Sequence, residues 1–405
     1  MSEDRSPQPE PRLLLITGHR WRDTARLALA ARDAGFSVHL LGPKGHPLYG
    51  ISWIECAGTV APLSSRASVA RALNSTPFDF VVPADDLGAA ALFDVYQHGD
   101  LDDRASQTVE LSLGDPRSYG VRHDRVEIGR IAHGSGITTP LTSSITAASL
   151  ADVVDTLGFP AVLKVDGGFG GQQVNIVGDL DSARSAYRTL SRAQPIVEAF
   201  GRLALDHDSS FLESAVRRTR PTVSAQRFVQ GAPATLTAAA LHGQVLDLVA
   251  VRVLRARPGN GPAMIVEPIT DERMAHAARA LARELGLSGF FGLDFILSPD
   301  GSVASLIELN PRATPTAHLR PPGLGRPLFH AIADALGLHP PAPPSPLPTG
   351  AIVLFPQLTS LDDVGADAAG AYLDVPADDE VIDLCTSAAT PPPGGRIERT
   401  VRKIF

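Results

Sequence analysis

The sequence predicts a chain of mixed class: an α/β region built on a parallel sheet, then an α+β region rich in antiparallel strands, then a small C-terminal module. Three observations carry this. Over residues 12–113 short apolar runs alternate with helical stretches, the signature of a parallel sheet covered by helices. Over residues 223–254 strand-like runs follow one another directly, ahead of a hairpin signal near residue 300. Prolines then crowd the stretch PPAPPSPLP, which reads as a stiff linker. The expected divisions are a disordered polar tail over residues 1–11, a first domain over 12–113, a second over 114–338, the linker over 339–349 and the module over 350–405.

The elements follow in order. LLLIT (13–17) is a short buried strand, residues 24–34 an alanine-rich helix ended by Gly35, and SVHLLG (37–42) the next strand. FDFVVPADD (78–86) is another strand with acids at its end. Ligands of such sheets sit beyond the carboxyl ends of the strands. Thr17, Gly18, His19 and Arg20 lie at one such end and Asp85 and Asp86 at another, either as helix caps or as substrate contacts. The turn after the first strand, Thr-Gly-His-Arg-Trp, has one glycine where a dinucleotide fingerprint needs three, which excludes NAD binding. Helices are predicted over 123–133, 148–157 and 179–192, and strands over 223–229, 234–241 and 245–254. Asp271 caps a long helix that Gly286 stops. The C-terminal module is expected to hold a strand at AIVLF (351–355) and another near VIDLC (381–385).

The hairpin carries the most chemistry. FFGLDFIL (290–297) and LIELNPR (306–312) flank Ser298-Pro299-Asp300-Gly301, a turn sequence suited to a three-residue loop closed by glycine in a G1 bulge. That loop sets Ser298 opposite Ser302, Asp294 opposite Leu306 and Gly292 opposite Glu308. One face then carries Gly292, Asp294, Glu308 and Asn310; the other carries Phe291, Leu293, Phe295, Leu297, Ile307 and Leu309. Two carboxylates and an amide oxygen, with a glycine leaving space beside them, suit Mg²⁺ shared with substrate phosphates. Arg312 just beyond can take a phosphate bidentately. The bland alternative is a half-exposed hairpin with a polar outer face.

Composition narrows the classes. The 405 residues are 44% hydrophobic and 20% charged, which excludes wholesale disorder. A net charge of -8 argues against nucleic-acid binding through phosphate contacts. Cys56 and Cys385 lie far apart without metal-type spacing and read as reduced thiols of a cytoplasmic protein. No apolar run is long enough to span a bilayer, so no membrane partner is expected, and residues 1–11 lack the apolar stretch of a signal peptide. There is no G-x-S-x-G for a hydrolase and no H-R-D or D-F-G for a protein kinase.

Lys164 sits on a strand that enters a loop with Gly167, Gly168, Gly170 and Gly171, and a second strand begins near Val174. Such a loop either cradles phosphates through backbone N–H groups or is a flexible hairpin tip. In the order FPAVLKVDGGFGG, AQRFVQG, GLDF and IELNPR, the chain resembles the ATP-grasp superfamily of ligases. The likeness runs over about residues 12–338, a Rossmann-like domain followed by the ATP-grasp fold. It implies that Lys164 contacts ATP phosphates and that Gly168, Gly170 and Gly171 belong to a flap. It further implies that Gln226, Phe228 and Val229 line the adenine slot. Asp294, Glu308 and Asn310 would hold Mg²⁺, two ions in all with Mn²⁺ an allowed substitute, and Arg312 would stabilise the transferring phosphoryl group. Arg125 stands where such proteins often carry lysine, and Gln226 where they often carry glutamate.

The chemistry so implied is ATP-dependent ligation of a small-molecule carboxylate to an amine. It would run through an acyl phosphate, form a peptide-like amide, and release ADP and phosphate. A carboxylate–thiol ligase and a non-catalytic ATP-binding protein are the alternatives. Arg252 or Arg255 is a candidate second contact to the γ-phosphate or the substrate carboxylate, with a solvated arginine as the plain reading of each. His318 is a candidate for the acceptor side, with a structural histidine as its plain reading. Oligomeric state is open, a homodimer among the options.

Overall fold

The computed structural model describes residues 10–61, 63–165, 174–192, 221–258, 261–320, 325–361 and 370–387. The first sheet consists of β1 (Arg12–Ile16), β2 (Ser37–Pro43), β3 (Glu55–Val60) and β4 (Phe80–Pro83), all parallel in the order β3-β2-β1-β4. Helices α1 (Thr24–Asp33), α2 (Ser65–Ser75), α3 (Asp86–Gln97) and α4 (Asp103–Leu113) accompany it. β3, ECAGTV, was not legible as a strand because it is a half-exposed edge with no apolar run. The strand order reverses between β1 and β4, so the ligand crevice expected of such a sheet opens between residues 17–20 and 85–86.

A second sheet follows α5 (Arg125–Gly134). It holds β5 (Thr142–Ile145), β6 (Ala161–Val165), β7 (Val174–Val177) and β8 (Val223–Arg227) in the order β5-β8-β6-β7, with α6 (Leu150–Leu157) and α7 (Leu180–Leu190) packed on it. The glycines 167, 168, 170 and 171 between β6 and β7 lie outside the described residues.

The third sheet has seven strands: β9 (Ala232–Leu241), β10 (Gln244–Ala256), β11 (Ala263–Ile269), β12 (Gly289–Leu297), β13 (Ala304–Asn310), β14 (Ile352–Val353) and β15 (Tyr372–Leu373), in the order β13-β12-β9-β10-β11-β14-β15. Its apolar face packs against α5 and α8 (Glu272–Glu284): Phe291, Leu293, Phe295 and Leu309 meet Ile128, Met274, Ala278 and Leu281. Each buried phenylalanine there contributes roughly 2–3 kcal/mol by transfer from water. The opposite face shares a core with the first sheet and with α9 (Leu328–Ala335), where Phe290 and Val251 meet Leu13, Leu15 and Phe329. This shared core fixes the first sheet against the third.

The segment after the prolines does not stand apart. β14 pairs with β11 and β15 with β14, so both strands extend the large sheet. VIDLC is not a strand: it lies in α10 (Asp379–Thr386), which Asp378 caps by accepting from the Val381 N–H. Val381 and Cys385, four apart, are the buried pair of that helix. The proline stretch also packs down, with Leu347 buried and its N–H bonded to the Arg320 carbonyl. Among the described residues no helix is long and apolar enough to cross a membrane.

Candidate active site

The hairpin builds the site, in a register different from the one its turn predicts. The Gly301 N–H bonds to the Ser298 carbonyl, and the Ser298 N–H bonds to the Val303 carbonyl, both at 2.9 Å. Ser298 therefore faces Val303, and the loop has four residues instead of three. A one-residue slip alone would turn Glu308 toward the core. A bulge at Ile307 cancels it: Phe295 pairs with Leu306, yet Asp294 pairs with Glu308 and Gly292 with Asn310. Asp294 therefore does not face Leu306, nor Gly292 Glu308. The two carboxylates come directly opposite, and Leu306 takes the core place expected of Ile307. The space beside Gly292 is also filled, since a Cβ there would lie 2.4 Å from the Thr314 methyl carbon. Thr314, Thr316 and Thr237 form a buried hydroxyl cluster beneath the ligand strand, with Thr237 and Thr316 2.8 Å apart. Sequence reasoning missed this trio, because its members come together only through the sheet.

Asp294 is half-buried, and burial followed by the facing Glu308 pushes its carboxyl above the ordinary value. The Asn310 amide opposes that shift by donating to Asp294 Oδ2 at 3.0 Å. Among the described residues no group of three or more His, Cys, Asp or Glu side chains converges on one point. Asp294, Glu308 and the Asn310 side chain are hard oxygen donors on one face, of the kind that could hold Mg²⁺ together with phosphates and water.

Cations approach this face from three directions. Arg312, in the loop after β13, has its Nε 3.0 Å from Asp86 Oδ2. Burial works against the Arg312 charge, but Asp86 and Asp294 outweigh it and raise the guanidinium above its ordinary value. The Ala313 N–H donates to the Pro83 carbonyl at 3.0 Å, so the end of β4 holds the arginine loop. Arg125, first residue of α5, pairs with Glu308 at 2.6 Å and also donates to the Val165 carbonyl. Lys164 on β6 is buried, and its Nζ donates to Gln226 Oε1 at 2.9 Å. Burial lowers the Lys164 ammonium below its ordinary value, Glu308 opposing. The Gln226 amide nitrogen donates to Thr142 at 3.0 Å, so this side chain is occupied with Lys164 and Thr142. Phe228 and Val229 follow β8, partly buried in the link to β9. Asp86, His123, Arg125, Gln226, Glu308 and Asn310 line one partly open cavity.

The remaining candidates lie elsewhere or do other work. Asp85 caps α3 and also accepts from Thr17, Gly18 and His19. Burial pushes its carboxyl up, but His19, Thr17 and Gly18 outweigh that and hold it well below the ordinary range. Arg252 pairs across the strands with Glu267 and with Ala234, the partner of Phe295, so it stands on the face opposite Asp294. Arg255 follows a bulge in β10 and does not line the cavity. His318 is buried with its Nε2 2.6 Å from Asp374, which also pairs with Arg26; the three tie the C-terminal segment to α1.

With this geometry in place, the likenesses to known proteins are informative. A family model described as an ATP-grasp domain matches residues 205–316. The match places an ATP-grasp domain over residues 205–316. An N5-carboxyaminoimidazole synthase from Aspergillus clavatus, solved with ADP and 5-aminoimidazole ribonucleotide, superposes with a TM-score of 0.58 at 18% identity, over 82% of this chain and 79% of that one. An L-amino acid ligase from Bacillus licheniformis gives 0.53 at 15%, over 82% and 75%. The biotin carboxylase domain of a 2-oxoglutarate carboxylase from Hydrogenobacter thermophilus, solved with ADP and magnesium, gives 0.56 at 13%, over 82% and 70%. At these identities the likeness shows a shared fold over about four fifths of the chain and nothing more. No curated protein matches the chain in sequence.

Proposed function

We propose that the protein is a Mg²⁺- and ATP-dependent ligase that joins a small-molecule carboxylate to an amine through an acyl phosphate, releasing ADP and phosphate. The observation that carries this is the direct pairing of Asp294 with Glu308 on a face that Arg312, Arg125 and Lys164 approach from three elements. A carboxylate is a poor electrophile, and phosphorylation gives it a leaving group. Phosphoryl transfer needs positioning and charge neutralisation more than a covalent nucleophile. Asp294, Glu308 and Asn310 would hold Mg²⁺, which when bound neutralises phosphate charge and fixes the phosphates in line. Lys164 and Arg125 stand where they can take phosphate oxygens, and Arg312 where it can hold the acyl phosphate. Phe228 and Val229 are assigned to the adenine slot, in the link between the second and third sheets.

The fold likeness to an L-amino acid ligase supports amino acids as the first substrates to try. The experiment is ADP release with Mg²⁺-ATP across a matrix of carboxylic acids and amines that includes the twenty amino acids. ADP that appears only when an acid and an amine are both present supports ligation and names the pair. Transfer of labelled carboxylate oxygen into phosphate supports the acyl phosphate, and its absence in a working coupling reaction removes that step from the mechanism.

A further inference from the structure

His123 stands at the seam between the first sheet and the ligand strand. Its ring packs edge-on against Phe93 of α3, with centroids 5.4 Å apart, so the first domain holds it. It lines the same cavity as Asp86, Arg125, Glu308 and Asn310. Its Nε2 is buried and has no hydrogen-bond partner among the described residues. The neighbouring cations are engaged: Arg125 with Glu308, Arg312 with Asp86, and Arg122 with Ser118 and the Leu113 carbonyl. A buried ring nitrogen left unmet costs stability, which makes it a candidate contact for a ligand atom.

The charges that face the ring are Asp86 from α3, Arg122 and Arg125 from its own segment, and Arg312 from the loop after β13. Burial lowers the imidazole below its ordinary value; the three guanidiniums add to this and Asp86 opposes it. The site thus favours the neutral ring, whose unprotonated nitrogen can accept a proton. Its position also selects a partner. Asp86 begins α3 just beyond the end of β4, beside the crevice between β1 and β4 where an open sheet of this kind takes a ligand. Arg312 is the group assigned to the acyl phosphate. His123 shares a pocket lining with Asp86 and feels the charge of Arg312, so an acceptor that reached the acyl carbon past Asp86 would come near its ring.

We infer that His123 is a catalytic base for the acceptor amine, receiving a proton at Nε2 from the attacking nitrogen. This rests on the ligase reading given above. An acceptor that arrives as an ammonium gives one proton to Nε2 and becomes a nucleophile. Its nitrogen then bonds to the acyl carbon while the bond from that carbon to the phosphate oxygen breaks. The second proton leaves with the phosphate as hydrogen phosphate, and the imidazolium returns its proton to solvent. One C–N bond forms, one C–O bond breaks, and no oxidant or reductant is needed.

Hydroxylamine separates the two halves of this reaction, because it is largely the free base near neutral pH and attacks an acyl phosphate without a protein base. The test compares the wild type with His123→Ala and His123→Asn, using Mg²⁺-ATP and a panel of amino acids and simple mono- and dicarboxylic acids. Hydroxamate is read with hydroxylamine, and amide with the amino acids as acceptors. Both variants should form hydroxamate at close to the wild-type rate, which also shows that they are folded. Amide formation should fall about 10²- to 10³-fold. Added imidazole should restore much of it in His123→Ala and little in the bulkier Asn variant. Amide output near the wild-type level in both variants overturns the inference. So does an equal loss of amide and hydroxamate, which would make His123 part of the activation half or of the structure. A wild type that forms no hydroxamate from any acid overturns the ligase reading itself, and this inference with it.

Discussion

Asp85 and Asp294 are both carboxylates set among apolar strands, and the fold treats them in opposite ways. Asp85 accepts from the Thr17 hydroxyl and from the N–H groups of Gly18, His19 and Gly88, with His19 Nδ1 beside it at 3.0 Å. Its charge is fully met within the first domain. Asp294 faces a second carboxylate, Glu308, and burial and that neighbour both disfavour its charge. A carboxylate with complete local partners fastens a structure together. One set against another carboxylate would gain from a cation brought with the substrate, the role proposed for Asp294. The environment of an acid, more than its presence in a cleft, separates structural from functional duty.

The largest effect that tests this contrast is on activity. Glu308→Gln or Asn310→Ala should lower turnover by at least about 10³-fold. Both should leave the fold intact, since neither side chain belongs to the apolar clusters that pack the two faces of the sheet. Steady-state ADP release and circular dichroism measure the two halves of that statement. Near-normal turnover in either variant would break the metal assignment.

Asp85 should behave in the reverse manner. Asp85→Ala should cost on the order of 3–5 kcal/mol of folding stability, because it orphans several buried donors together with His19. The pH dependence follows from the lowered carboxyl of Asp85. Its contribution is fully present above the ordinary carboxylate value of 3.8 and is lost as pH falls below that. Chemical denaturation across pH 2–7 should therefore show the gap between wild type and Asp85→Ala closing toward the acid end. A gap independent of pH would mean that shape, not charge, is what Asp85 supplies.

How much of this contrast the sequence carries differs between the two acids. The two-residue period of strands puts Gly292 with Asp294 and Glu308 with Asn310, but the three-residue loop expected to bring the two pairs to one face is not formed. Their direct pairing does not follow, because it depends on a bulge at Ile307 that offsets the longer turn. Asp85 reads as a cap from its place before α3, but its bonds to Thr17, Gly18 and His19 depend on β1 and β4 lying side by side. β11 was missed because Glu267 and Pro268 interrupt its apolar run, and VIDLC is too short for periodicity to separate helix from strand. His123 gave no signal of its own. A lone histidine before a helix acquires meaning only when Asp86 and Arg312 arrive from distant parts of the chain.

Asp86 lies next to Asp85 in sequence yet serves the other region, and a smaller effect separates the two. Asp86→Asn removes the charge beside Arg312 but leaves the Ala313-to-Pro83 hydrogen bond that holds the loop. The fold should survive, with turnover about tenfold lower, a change of roughly 1.4 kcal/mol. The dissociation constant for Mg²⁺-ATP should stay unchanged, because Arg312 is assigned to the acyl phosphate. Isothermal titration with a non-hydrolysable nucleotide, set beside steady-state rates, checks both parts. A large loss of nucleotide affinity would move Arg312 from the acyl group to the nucleotide.

The smallest effect is the most discriminating, since it asks whether the fold itself objects to Asp294. Burial and Glu308 raise its carboxyl, so the ionised form is penalised in the folded protein. The penalty is absent where the group is protonated in both states. It appears as pH rises past 3.8 and is complete above the raised folded value. Asp294→Asn removes the charge while keeping an oxygen that can accept from the Asn310 amide. At neutral pH, without metal or nucleotide, the variant should be more stable than the wild type by about 1 kcal/mol, and the two should converge in acid. Addition of Mg²⁺-ATP should reverse the order, because only the wild type has the full donor set to gain from it. Thermal melts with and without Mg²⁺-ATP, at pH 7 and near pH 3.5, give all four values. A variant less stable than the wild type in the absence of ligands would mean that Asp294, like Asp85, is held by partners within the chain.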